Sequence, residues 1–357
     1  MSALPRPAAR RSSFSPRHWV SEELFDFWAG RVNPLWTQRR ARARLVARHP
    51  ASADAVTLVL RPNRHFRGVA AGQHVTLGVE VDGRRLSRSY SPTVLEDGTL
   101  AITVKTVAGG KVSRHLAQSA QVGEVFELGE AFGEMILPAR PAARMLLLAA
   151  GSGITPMRAL LRQLDAAGMP VQVDLVYWAQ QRDALCFGEE LAAIAARHPG
   201  LRLHLALTRD PAAPAARVGD YDFSALGDLS TANVMTCGPG GFVEAAQARL
   251  RGQVATLQSE AFTPPVLPDV ETGTVQVELR RSGRTLELPR GTSLLQALEA
   301  EGLRPASGCR MGICNTCVCG KASGVTRHTL TGEYAAEPAT QVKLCVNSAS
   351  TNLILEL

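Results

Sequence analysis

Four cysteines constrain this chain more than any other feature. Three stand in one run, Cys309-Arg-Met-Gly-Ile-Cys314-Asn-Thr-Cys317, and Cys345 follows at a distance. C-x4-C-x2-C with a remote fourth cysteine is the ligand spacing of a plant-type [2Fe–2S] cluster. Two irons need four converging thiolates, so three ligands share one tight loop and the fourth arrives from elsewhere. Gly308 and Gly312 let that loop curl closely. A zinc site is the alternative, but such sites usually pair two C-x2-C knuckles, and this run holds one. A [2Fe–2S] centre passes single electrons, so the rest of the chain is read for an electron source.

A chain of 357 residues, 45% of them apolar, suggests two or three domains with ordinary cores. The N-terminus lacks the apolar run of a secretory signal, and no window approaches the length of a membrane span. Cysteines that serve metals suit the reducing cytoplasm. The net charge is +7, with much of the excess among arginines of the first 48 residues. Few aromatics and no recognition motif argue against nucleic acid. The basic face suits an acidic partner or an anionic membrane surface, or is a solvated arginine-rich surface.

Five stretches separate along the chain. Residues 1–41 form a basic leader in which Val20, Leu24, Trp28, Val32 and Leu35 fall at helical spacing, with Phe25 and Trp36 alongside. The expected helix either docks on a partner or membrane, or packs on its own neighbour. Residues 42–140 read as all-β, from short alternating runs such as Ala55–Leu60, His74–Leu77 and Leu100–Lys105. Residues 141–262 alternate strand and helix, with buried strands at Met145–Ala150 and Val171–Tyr177, and predict a doubly wound parallel α/β sheet. Residues 263–269 are a proline-rich linker. Residues 270–357 begin with two strands, at Val275 and Arg284, and a helix around Ser293–Glu301, before the cysteine loop.

Three motif sets lie outside the cysteines. Arg88-Ser89-Tyr90-Ser91 is followed by Lys105-Thr-Val-Ala-Gly-Gly110-Lys111-Val112-Ser113. Gly151-Ser-Gly153-Ile-Thr155-Pro156 follows a buried strand and opens a helix, the setting of a phosphate-binding turn. Cys237-Gly238-Pro239 ends a strand, and Glu260-Ala-Phe262 closes the α/β stretch. Together these resemble the ferredoxin–NADP reductase superfamily. The resemblance implies an antiparallel β-barrel flavin domain, a doubly wound nucleotide domain and an α+β β-grasp ferredoxin domain. It implies that Arg88 neutralises the flavin phosphate, that Tyr90 stacks beside the isoalloxazine and that Ser91 donates toward its N5 atom. The helix opening at Gly110–Ser113 would face the FAD pyrophosphate, a sound anion site. Ser89, Thr103, Lys105, Lys111 and Val112 join the flavin contacts by the same resemblance. Gly151, Gly153, Thr155 and Pro156 go to the nucleotide, with Gly238, Pro239 and Phe262. Cys237 would lie against the nicotinamide and Glu260 near its contact with the flavin.

Thr208-Arg209 resembles the pair that holds the 2′-phosphate of NADPH, and the second α/β strand ends at Gln180 without the acid expected of an NAD site. NADPH is the expected donor, with NADH as the alternative. Cys186, Cys319 and His115 read as structural. The domain order resembles reductases serving oxygenases and desaturases, such as the phenylacetyl-CoA epoxidase, hybrid-cluster-protein and acyl desaturase reductases. It implies an NAD(P)H:acceptor oxidoreductase passing electrons through FAD and [2Fe–2S] to a separate protein acceptor. That acceptor is a membrane-bound desaturase or a soluble oxygenase. A redox-sensing module is the alternative of another class. The expected location is the cytoplasm, with peripheral contact at the inner membrane face through the leader.

Overall fold

The computed structural model describes residues 22–81, 83–139, 142–212, 214–263 and 271–357. The leader up to Ser21 and the linker prolines lie outside the described residues.

Helix α1 (Glu22–Val32) precedes seven strands: β1 (Arg42–Ser52), β2 (Ala55–Pro62), β3 (Val75–Val81), β4 (Arg84–Tyr90), β5 (Thr93–Val94), β6 (Leu100–Lys105) and β7 (Val125–Leu128). They form one antiparallel sheet in the order β4-β3-β7-β1-β2-β6-β5. Its edge strands β4 and β5 are joined only through Ser91 and Pro92, so the sheet curls until its edges meet as a barrel. Strand alternation fills the inside: along β2, Val56, Leu58 and Leu60 point into a core shared with Leu45, Leu77, Ile102 and Phe126. A single helical turn, α2 (Lys111–Arg114), opens at Gly110.

α1 reverses the usual logic of an amphipathic helix. Its helical spacing is as expected, yet polar groups hold it to the barrel side. The buried Asp26 carboxylate accepts the Gln38 N–H at 2.7 Å and faces Arg40 at 3.5 Å. The Asn33 side chain accepts from the Leu35 N–H and from Arg44, each at 3.0 Å. Leu24, Phe27, Trp28 and Val32 face outward, Trp28 60% and Val32 76% exposed. Among the described residues no helix is long and apolar enough to cross a membrane.

The second sheet contains β8 (Arg144–Ala150), β9 (Gln172–Ala179), β10 (Leu201–Leu207), β11 (Asn233–Pro239) and β12 (Thr256–Thr263), all parallel, in the order β10-β9-β8-β11-β12. Helices α3 (Ile154–Ala166), α4 (Gly188–Arg197) and α5 (Gly240–Leu250) connect them. The strand order reverses between β8 and β11, and ligands of such sheets bind beyond the strand ends at that point.

The third unit has β13 (Thr274–Leu279), β14 (Arg284–Pro289), α6 (Leu294–Ala300), β15 (Val318–Ser323), β16 (Thr326–His328), β17 (Tyr334–Ala335), β18 (Thr340–Lys343), β19 (Asn347–Ala349) and β20 (Leu353–Leu355). The main sheet runs β14-β13-β20-β15-β18, with β13 and β20 parallel, and β17-β16-β19 form a small second sheet. Ser293 caps α6 by accepting the Gln296 N–H at 3.3 Å. The cysteine loop spans α6 and β15, and Cys345 follows β18.

Candidate redox site

The loop from Cys309 to Cys317 is shaped around sulfur. A Cβ at Gly308 would lie 2.8 Å from the Cys314 sulfur and 2.9 Å from the Thr316 hydroxyl. Gly312 has φ +78°, and a Cβ there would press on Val346. Lys343 ties the loop down by donating to the Gly312 carbonyl at 2.6 Å. The four sulfurs fall into two pairs. Cys309 and Cys314 exchange backbone N–H···S bonds at 3.2 and 3.3 Å, and the Cys317 and Cys345 sulfurs are 3.1 Å apart. Among the described residues no three His, Cys, Asp or Glu side chains gather as ligands of one ion. Two pairs suit two irons better than one zinc.

Hydrogen bonds from Cys309 and then Thr316 outweigh burial and pull the Cys314 thiol down to about 4. The hydrogen bond between Cys317 and Cys345 pulls Cys317 down to about 6, and Cys309 and Cys345 are pushed up in return. A metal bound here must displace the thiol protons. Cys186 and Cys319 are buried elsewhere, the backbone N–H of Cys186 bound to the Tyr177 hydroxyl at 3.1 Å.

At the barrel seam, Ser91 begins a buried chain of polar groups. Its hydroxyl lies 2.7 Å from His74 Nδ1, and His74 Nε2 is hydrogen-bonded to the Glu260 carboxylate. His74 is 1% exposed and packed by Phe132 and Phe262. Gly133, at φ +104°, leaves room for it: a Cβ there would lie 3.1 Å from the imidazole and 3.3 Å from Glu260. Glu260 sits on β12 and pairs in register with Cys237 on β11. The barrel serine, a barrel histidine and a nucleotide-domain acid thus meet, with Cys237 on the adjoining strand. Burial and then the charge of Glu260 push the Cys237 thiol well up, so it is a neutral wall rather than a nucleophile. Sequence reasoning found Ser91, Cys237 and Glu260 and missed His74, which carries no motif of its own.

The nucleotide motifs meet at the switch point. A Cβ at Gly153 would lie 2.0 Å from the Cys237 carbonyl oxygen, so only glycine lets the turn after β8 touch the end of β11. Gly151 has φ +55°, Thr155 bonds back to the Ser152 carbonyl at 3.0 Å, and Pro156 lies in the first turn of α3. Beyond β10, the Thr208 and Arg209 N–H groups donate to Ala179 and Gln180 at 2.9 and 2.8 Å, which brings this pair beside the end of β9.

Arg88, Gly110 and Lys111 of the barrel line a cavity of about 1370 Å³ whose other side includes Gly308, Cys314 and Thr316. Burial, then the charge of Arg310, hold the Arg88 guanidinium below its usual range, a cost that an anion would relieve. Ser113 braces the Gly110 turn: the Val107 N–H donates to its hydroxyl at 3.2 Å. Burial pushes the Tyr90 hydroxyl up. Thr103 bonds Thr57 at 2.7 Å and Lys105 pairs with Asp54 at 2.9 Å; neither lines this cavity. A cationic, glycine-edged cavity fits the phosphate end of a flavin.

Residues 42–135 match the oxidoreductase FAD-binding domain, 147–248 the oxidoreductase NAD-binding domain and 277–346 the 2Fe-2S iron-sulfur cluster binding domain. An NADPH oxidoreductase of Mycobacterium tuberculosis is 33% identical over 91% of this chain and 87% of its own length. The ferredoxin reductase component of 3-ketosteroid-9-alpha-monooxygenase from the same organism is 33% identical over 74% of this chain and 77% of its own. The structure of phthalate dioxygenase reductase, a modular protein for electron transfer from pyridine nucleotides to [2Fe–2S], superposes with a TM-score of 0.63. It is 26% identical and covers 88% of this chain and 97% of its own.

Proposed function

Because the chain belongs to the family of modular oxidoreductases that join FAD-binding, NAD-binding and 2Fe–2S domains, and so moves electrons from NAD(P)H through FAD to the cluster, we propose that it is the reductase component of an oxygenase or a fatty-acyl desaturase. The observation that carries this is the shared cavity, whose wall includes both Arg88 and the cluster ligand Cys314. A flavin held there abuts the loop that takes its electrons. When bound, the flavin accepts a hydride from the nicotinamide and passes electrons singly to the iron–sulfur centre.

The residues divide the remaining work. Arg88 and the Gly110–Ser113 turn hold phosphate by charge and by backbone N–H groups. Ser91, its hydroxyl oriented by His74 and His74 in turn by Glu260, would donate toward the flavin N5 atom. Cys237 and Gly238 form the floor beneath the nicotinamide, dry because Cys237 is fully buried. Cys309, Cys314, Cys317 and Cys345 ligate the cluster. Arg209, with Thr208, receives the 2′-phosphate of NADPH, since no acid at the end of β9 would repel it.

Relatives named for monooxygenase components favour an oxygenase as acceptor. The outward apolar face of α1, following a leader rich in arginine, favours a cytoplasmic reductase resting on an anionic membrane surface. The test of the electron path is Cys314→Ser. It should abolish NADPH-dependent reduction of cytochrome c and spare that of ferricyanide, which the flavin serves directly. Loss of both activities, or of neither, refutes the path.

A further inference from the structure

The side of the large cavity supplied by the ferredoxin domain carries cations of its own. Arg304, between α6 and the cysteine loop, and Arg310, inside that loop, line it together with Arg88 and Lys111 of the barrel. Arg310 has a left-handed backbone, φ +60°, and donates to both Glu299 carboxylate oxygens at 2.8 and 2.5 Å. That fork fixes its guanidinium at the cavity edge, and its buried Nε has no hydrogen-bond partner. Arg304 forms no ion pair among the described residues. Of the acids in the lining, Glu127 is held by Arg85 at 2.7 Å and Glu299 by Arg310, which leaves Glu130 against Arg88, Lys111 and Arg304. Cations contributed by two domains to one cavity repel unless an anion lies between them.

We propose that the phosphate end of the flavin lies between these two sets of cations, so that Arg304 and Arg310 of the ferredoxin domain complete the flavin site. The inference rests on the reading that the flavin occupies this cavity. Its consequence is reciprocal: flavin binding docks the ferredoxin domain, and docking tightens the flavin.

The test uses full-length protein stripped of flavin and titrated, by fluorescence quenching, with FAD and with riboflavin, which lacks phosphate. Arg304→Gln and Arg310→Gln should each raise the Kd for FAD about tenfold, as for a lost charge-assisted bond, and leave that for riboflavin unchanged. The visible spectrum of the cluster is recorded for each variant. If Arg310→Gln, beside Cys309, loses the cluster, Arg304→Gln decides alone. An unaltered FAD affinity in the double variant overturns the proposal. So does equal weakening of FAD and riboflavin, which would mean that the arginines act through shape. Arg88→Ala separates the two levels: if it loses FAD while the ferredoxin variants do not, the flavin site stands and only this inference falls. If it too keeps FAD, the cavity is not the flavin site.

Discussion

A serine hydroxyl has one proton, so Ser91 can give it to His74 or to the flavin, not to both. With His74 Nε2 donating to Glu260, Nδ1 accepts the hydrogen bond of the Ser91 hydroxyl, and the serine oxygen is left to accept. His74→Gln, which loses the ring that Glu260 holds against Ser91, should slow flavin reduction by NADPH roughly a hundredfold, the loss that a misplaced group can cause. Stopped-flow absorbance reads the rate, and unchanged flavin content excludes misfolding; a rate like the parent's would make this chain of side chains structural only. Arg209→Ala should raise the KM for NADPH about tenfold, the loss of one charge-assisted phosphate contact, with the KM for NADH and both kcat values held. Parent-like steady-state constants for NADPH would remove Arg209 from the site. The cysteines were legible because their spacing alone is diagnostic. His74 was not, because its role depends on Glu260, which only β12 brings within reach.

At the scale of elements, α1 shows what periodicity can and cannot say. Its spacing announces a helix with one apolar arc, holding Leu24, Phe25, Phe27 and Trp28, but spacing cannot say that this arc faces outward. The choice is made by Asp26, through partners Gln38 and Arg40 beyond the helix. Because these ties are polar and peripheral, a chain beginning at Ala41 should keep its flavin and its NADPH–ferricyanide activity. It should lose binding to anionic vesicles, and binding by the parent chain should weaken as salt rises. Vesicle flotation measures this, and a parent chain that ignores the vesicles rules out the membrane reading. The barrel strands and the turn after β8 were easier to read, since alternation and glycine placement are local. The closure of the barrel at Ser91 was not, because strand order is set by pairing across the whole sheet.

For the whole molecule, one flavin and one cluster should take up about three electrons per chain, two at the flavin and one at the iron–sulfur centre. Anaerobic titration with dithionite counts them. Cys314→Ser should take up about two, and a parent chain that stops at two carries no working cluster. The order of the three units was legible in their motifs, but their mutual placement was not: no local pattern says that Arg304 and Arg88 line one space. The bond between His74 and Glu260 joins the barrel to the nucleotide domain, and it sets a tolerance. Hydrogen bonds fail within a fraction of an ångström, so a small shear between the two domains uncouples Ser91 from its acid at once. The chain of three side chains is therefore a gauge of alignment, intact only while the two domains are seated.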